Sequence, residues 1–225
     1  MSYLKWDKLV LGYSKQTPLN IPFSGEILNS GIYPILGQNG CGKSTLLKTW
    51  LGLIPPIHGG LERNDKSLEP EKSLTQGVSF VPQFHNVNKY FSISVFDFVA
   101  QGFGPDFSSK LSEKQKNKIH EHLKEWQLSG FENTSFHELS GGQKTRALVV
   151  RAFLSHPKIL FLDEPLASLD SCCRDRLMEK LYLLSQKSHM CVLLVDHHLD
   201  KFQKYFTKTI RFEKNHDENI SQISF

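Results

Sequence analysis

Residues 32–44 read IYPILGQNGCGKS, and the reading of this stretch decides the fold. The apolar run Ile32 to Leu36 has the length and character of a strand buried on both faces of a parallel sheet. Gly37 to Ser44 follow without a spacer and fit G-x-x-x-x-G-K-[ST]. Leu46, Leu47, Trp50, Leu51 and Ile54 then recur at helical spacing, and Pro55-Pro56 is expected to stop that helix. Strand, glycine loop and helix in this order suit one chemistry. Glycines at Gly37, Gly40 and Gly42 let the backbone curl so that its N–H groups face phosphate oxygens, and the helix N-terminus adds positive potential. Lys43 can reach the β- and γ-phosphates of a nucleotide, and the Ser44 hydroxyl can ligate Mg²⁺.

Working outward, further short apolar runs stand at Val78 to Val81, Ile159 to Leu162 and Cys191 to Val195. Helical stripes lie between them. Ile119, Leu123 and Trp126 follow a capping box at Ser112 to Gln115. Leu148, Val149, Ala152 and Phe153 form a stripe that closes before Pro157, and Leu177, Leu181 and Leu184 form one capped by Asp170 or Ser171. Strands alternating with helices predict an α/β domain with a mainly parallel sheet. Leu4, Trp6, Leu9 and Leu11 alternate loosely and predict an antiparallel flap beside it. The stretch from about Asn86 to Gly142 is the most helical and reads as a separate lobe within a single domain spanning 1–225.

Two more segments carry chemistry. In ILFLDEP, residues 159–165, an apolar strand ends in Asp163 with Glu164 next. A carboxylate at that strand end lies on the edge where open α/β sheets bind ligands, placed to hold Mg²⁺ through water. Glu164, one residue further out, can polarise a water for attack on a γ-phosphate. LSGGQ, Leu139 to Gln143, reads as a second anion-binding helix start: a serine hydroxyl, two glycines, then a helix.

With these three motifs in this order, the chain resembles the ATP-binding cassette (ABC) ATPases over nearly its whole length. The resemblance implies the P-loop ABC fold, with an N-terminal antiparallel β subdomain and a helical subdomain. It implies ATP hydrolysis with Mg²⁺, the cation held by Ser44, Gln83 and Asp163. Gly37, Gln38, Asn39, Gly40, Cys41, Gly42, Lys43, Ser44 and Thr45 would form the ATP-binding loop, and Tyr13 resembles the aromatic that stacks on adenine. Gln83 resembles the glutamine that touches Mg²⁺ and senses the membrane partner. Ser140, Gly141, Gly142 and Gln143 would contact the γ-phosphate of ATP held by the opposite subunit. Asp170, in ASLD, would lie in the loop that crosses the dimer interface, although the family more often orders the small residues differently. Glu164 would be the catalytic base and His197 the γ-phosphate switch. VDHHLD departs from the family here: Asp196 stands where Ser or Thr is usual, and His198 where an Asp is usual. The two adjacent histidines leave the register open, with His197 favoured. Cys41 is a second departure, a thiol in the phosphate loop.

Composition narrows the function. The chain has 225 residues, 39% hydrophobic and 22% charged, and a net charge of +4, which suits a folded domain and supports neither nucleic-acid binding nor disorder. No apolar run approaches the ~18 residues of a membrane span. Lys5 and Asp7 interrupt any signal-peptide core. The expected location is the cytoplasm, peripheral on the inner face of the cell membrane. Cys41, Cys172, Cys173 and Cys191 lack framework spacing and read as reduced thiols. A zinc site at His197–His198 or at His120 and His122 lacks the Cys or carboxylate ligands to complete it. Within the resemblance, no long coiled coil separates Lys43 from Asp163, which excludes the chromosome-maintenance members. One cassette excludes the tandem translation type. The implied role is the ATPase subunit of a transporter, working as a two-copy ATP sandwich on separate permease chains, with a solute-binding protein as a further partner. Phe91 to Phe103 resembles the corresponding region in importers of zinc, manganese or chelated iron. A lipid or peptide exporter and a non-transport assembly ATPase are the alternatives. The aromatics Phe84, Tyr90, Phe91, Phe96 and Phe98, within Gln83 to Gly104, are expected to form the permease dock, with core packing of the helical lobe as the alternative for about half of them.

Overall fold

Runs that are apolar on both faces can be satisfied only inside a covered sheet, and they pair that way. The computed structural model describes residues 3–14, 17–63, 77–83, 93–104, 111–214 and 221–224. In chain order the elements are β1 (Leu4–Val10), β2 (Phe23–Ile27), β3 (Gly31–Leu36), α1 (Lys43–Leu51), β4 (His58–Arg63), β5 (Val78–Val81), α2 (Val95–Ala100) and α3 (Glu113–Glu125). Then come α4 (Gly141–Leu154), β6 (Ile159–Asp163), α5 (Ser171–Lys187), β7 (Cys191–Val195), β8 (Ile210–Lys214) and β9 (Ser221–Ser224). The main sheet has the order β5-β6-β7-β3-β8-β9, parallel except for the edge strand β9. A second sheet, β2-β1-β4, is antiparallel.

Each face of the main sheet has its own core. Tyr33, Ile35, Phe161, Leu193 and Val195 point to one side, where α1 and the antiparallel sheet cover them. Trp50 of α1 and Trp6 of β1 meet there with ring centroids 4.9 Å apart, joining the flap to the helix that opens at Lys43. Ile32, Leu160, Leu162, Val192 and Leu194 point to the other side, against α2 to α5. The loose alternation of β1 has a local cause. The pairing register with β2 shifts between Trp6 and Leu9, and Lys8 takes φ 47°, so the buried set runs Leu4, Trp6, Leu9, Leu11.

Two expectations need correction. Helix α1 ends at Leu51, where Gly52 takes φ 80° and its N–H closes onto the carbonyls of Lys48 and Thr49. A left-handed glycine stops the helix before the prolines are reached, and Ile54 lies beyond it. Phe98 does not belong to an exposed dock. It is buried in the core, stacked on Phe136 at 3.9 Å with the Arg151 guanidinium 4.6 Å from its ring centre. Phe96 packs against the same core, half-buried. Phe84, Asn86, Asn88, Tyr90 and Phe91 lie outside the described residues.

Candidate functional site

Because β3, β5, β6 and β7 are parallel neighbours, their C-terminal ends come to one edge of the sheet. That edge carries the glycine loop after β3, Gln83 after β5, Asp163 and Glu164 at the end of β6, and His197 after β7. Residues far apart in the chain therefore meet. A cleft of about 500 Å³ opens there, and Tyr13, Asn39, Gly40, Gly42, Lys43, Ser44, Thr45, Gln83, Glu164 and His197 line it. Its size suits a small-molecule ligand.

Gly42 is the N-cap of α1 at φ 107°, a conformation that side-chain-bearing residues rarely adopt, and it sets Lys43 and Ser44 in the first turn. The Lys43 ammonium is buried and donates to the carbonyls of Gly37 and Gln38, both at 2.8 Å. Those partners are neutral and use two of its three N–H donors, so the lysine leaves a buried positive charge for an anion in the cleft. The Ser44 hydroxyl donates to Asp163 Oδ1 at 2.9 Å. Burial pushes the Asp163 carboxyl above its ordinary range, with the Ser44 hydrogen bond pulling the other way and the charge of Glu164 adding to the rise.

Glu164 stands between two side chains. Gln83 Nε2 donates to its Oε2 at 2.5 Å, and His197 Nε2 lies 3.6 Å from its Oε1. The backbone that aims it is unusual, since Glu164 takes φ 51° while its N–H donates to the Val195 carbonyl at 2.7 Å. A nucleotide and Mg²⁺ fit this donor set. Ser44, Asp163 and Gln83 offer the hard oxygen ligands that Mg²⁺ takes, and the loop of Gly37 to Gly42 beside Lys43 offers backbone and cation to phosphates. Tyr13, 72% exposed, lines the cleft. Leu19 joins it there, unmarked in the sequence because a lone leucine carries no motif.

The residues of LSGGQ lie away from the cleft's lining. Ser140 caps α4: its hydroxyl accepts from the Gln143 N–H, and Gln143 Oε1 accepts from the Ser140 N–H at 2.8 Å. Gly142 has a second constraint. A Cβ there would stand 2.8 Å from the Ser168 carbonyl oxygen, whereas one on Gly141 would meet nothing within 4 Å. The Thr145 and Ser168 hydroxyls are bonded at 2.6 Å, so α4 and the ASLD loop are packed and tied together. Gly142→Ala should therefore lower stability by about 1–3 kcal/mol, the usual effect of overpacking, with Gly141→Ala near neutral. Thermal unfolding of the two variants checks this; equal midpoints would refute the close approach. Asp170 sits at the end of this loop as the N-cap of α5, accepting from the Cys173 N–H at 2.8 Å.

His198 does not line the cleft; its backbone N–H donates to Asp196. His122 lies against Glu125 at 3.3 Å, and no group of three metal-ligating side chains occurs among the described residues. None of the four cysteines is in a disulfide among the described residues, and Cys41 is buried in the glycine loop. Among the described residues no helix is long and apolar enough to cross a membrane.

Comparison with known proteins follows the same line. The sequence profile of the ABC transporter family matches residues 22–167. The manganese transport system ATP-binding protein MntB of Listeria monocytogenes is 34% identical over 191 residues, 84% of this chain and 78% of its own. The high-affinity zinc uptake system ATP-binding protein ZnuC of Bacillus subtilis is 30% identical over 217 residues, 95% of this chain and 92% of its own. A solved structure described as a metal-chelate type ABC transporter, in an inward-facing conformation, aligns with a TM-score of 0.76 at 29% identity over 100% of this chain and 83% of that one.

Proposed function

Since the chain belongs to the ABC transporter family and is an ATP-binding, ATP-hydrolysing subunit, we propose that it powers the import of a metal ion or metal chelate through separate permease chains. The observation that carries the ATPase half is the convergence of Lys43, the Ser44–Asp163 pair and the Gln83–Glu164–His197 row on one cleft. Similarity to manganese, zinc and metal-chelate systems supports the cargo.

In this reading Lys43 and the loop N–H groups hold the β- and γ-phosphates, and Tyr13 stacks on the base. Ser44, Gln83 and Asp163 hold Mg²⁺, which supplies charge neutralisation on the phosphate oxygens. Glu164 accepts the proton of the attacking water at its carboxylate, with Gln83 fixing one oxygen so that the other stays on the His197 side. His197 contacts the γ-phosphate. Ser140 to Gln143 have no phosphate to serve within their own chain, so they complete the site of a second copy, with Asp170 and its loop at the junction between copies. The protein works at the cytoplasmic face of the membrane on its permease, and a solute-binding protein delivers the cargo.

The test is reconstitution with the permease chains in liposomes, following ATP-dependent accumulation of manganese, zinc and an iron chelate. Uptake of at least one is expected. ATP hydrolysis without accumulation of any of them would refute the cargo and leave the ATPase assignment standing.

A further inference from the structure

We infer that Asp196 is a positioning residue, a buried two-pronged tie between the loops after β6 and β7 that holds Glu164 and His197 in register. It rests on the ATPase reading above. Asp196 is only 2% exposed, although it carries a carboxylate at the edge of the sheet. Both oxygens are engaged, and by different loops. Oδ2 accepts from the Leu166 N–H at 2.8 Å, and Oδ1 accepts from the His198 N–H at 2.9 Å. Leu166 stands two residues beyond Glu164, and His198 one beyond His197.

The geometry explains why a carboxylate stands here. The β6–β7 ladder pairs Asp163 with Val195, and the Glu164 N–H bonds the Val195 carbonyl at 2.7 Å. Beyond that bond the regular pairing of the two strands stops. The two carboxylate oxygens accept one amide from each side, continuing the connection past the end of the sheet. Hydrogen bonds to a charged acceptor are shorter and stronger than neutral ones, and they offset the cost of burying the charge. A Ser or Thr, usual at this position in the family the sequence resembles, has a single side-chain oxygen to divide between the two amides. The tie spans the two loops whose side chains face each other, Glu164 Oε1 and His197 Nε2 at 3.6 Å.

The experiment is a double-mutant cycle on the full chain, with kcat and the ATP dissociation constant measured for the parent, Asp196→Asn, His197→Ala and the double variant. Asparagine keeps the shape and one acceptor but sets an N–H₂ against one of the two amides. Asp196→Asn should lower kcat about tenfold, less than the ~10²-fold that a full ångström of misplacement can cost, with ATP affinity held within about twofold. In the His197→Ala background the same substitution should lower kcat by less than about threefold, because the register it protects has lost one member. An unchanged kcat in Asp196→Asn, or an equal loss in both backgrounds, overturns the assignment; the second result is what a merely structural residue would give. If Asp196→Asn does not fold, Asp196→Ser, which keeps one acceptor, replaces it in the cycle, and the same two results overturn the assignment. A parent protein that binds ATP without turning it over overturns the ATPase reading and this inference together, and the parent measurement alone reveals that case.

Discussion

Glu164→Gln should slow ATP turnover by about 10²–10⁴-fold, the usual loss when a positioned base is removed, and leave ATP affinity nearly unchanged. Glutamine has almost the same shape as glutamate and can still meet Gln83, which bonds Glu164 Oε2 in the parent protein. What it lacks is a basic oxygen to take the proton from water. Lys43, the glycine loop and the Ser44–Asp163 pair are untouched, so the ground-state contacts of the nucleotide persist. A variant that binds ATP without consuming it should also accumulate as a two-copy species, visible by size-exclusion chromatography with ATP and absent without it. The measurement is steady-state hydrolysis beside nucleotide binding by fluorescence. Affinity lost in proportion to turnover would mean that Glu164 is a binding group. A protein that stays monomeric with ATP bound would contradict the shared-site arrangement.

Lys43→Ala acts earlier, on binding as well as turnover. The ammonium is buried and its two hydrogen-bond partners are neutral carbonyls, so it keeps a donor and charge to offer an anion in the cleft. Removing one preorganised donor from a site where charge develops typically costs about 10²–10³-fold in rate. The lost charge-assisted contact should also weaken ATP binding by about tenfold or more. The Gly37 and Gln38 carbonyls lose their donor in addition, which loosens the loop itself. Hydrolysis at the parent rate would show that the phosphates lie elsewhere. Lys43→Arg is a useful companion. It keeps the charge but replaces a compact ammonium with a planar fork that the two carbonyls cannot cradle in the same way, so it should rescue little.

Much of this was legible beforehand, for a physical reason. The runs that became β3, β5, β6 and β7 are strongly apolar because parallel strands are covered on both faces, and the motifs are contiguous because phosphate loops and helix starts are local structures. The unread parts are long-range or conformational. The Gln83–Glu164 bond joins residues 81 apart, and the Thr145–Ser168 pair joins two hydroxyls with no shared motif. The unusual order in ASLD did mark a departure, and the structure supplies a use for the displaced serine as the partner of Thr145. Strands β8 and β9 went unread because they lie at the margin of the sheet, where polar residues alternate with Phe212 and Ile223. Asp196 was visible as a departure from the family pattern. Its two amide partners were not, because they belong to loops that meet only after folding.

The left-handed backbone at Glu164 has a consequence for how this protein tolerates heat and mutation. A side-chain-bearing residue held there gives up about 1–3 kcal/mol of folding stability, a noticeable share of the 5–15 kcal/mol that a domain typically has. Glycine and asparagine enter that conformation at less expense. Selection for robustness alone, in a heat screen or in a lineage where transport no longer mattered, would therefore drift toward one of them at position 164. With Glu164 as the proposed base, the chain would become sturdier and inert by the same substitution.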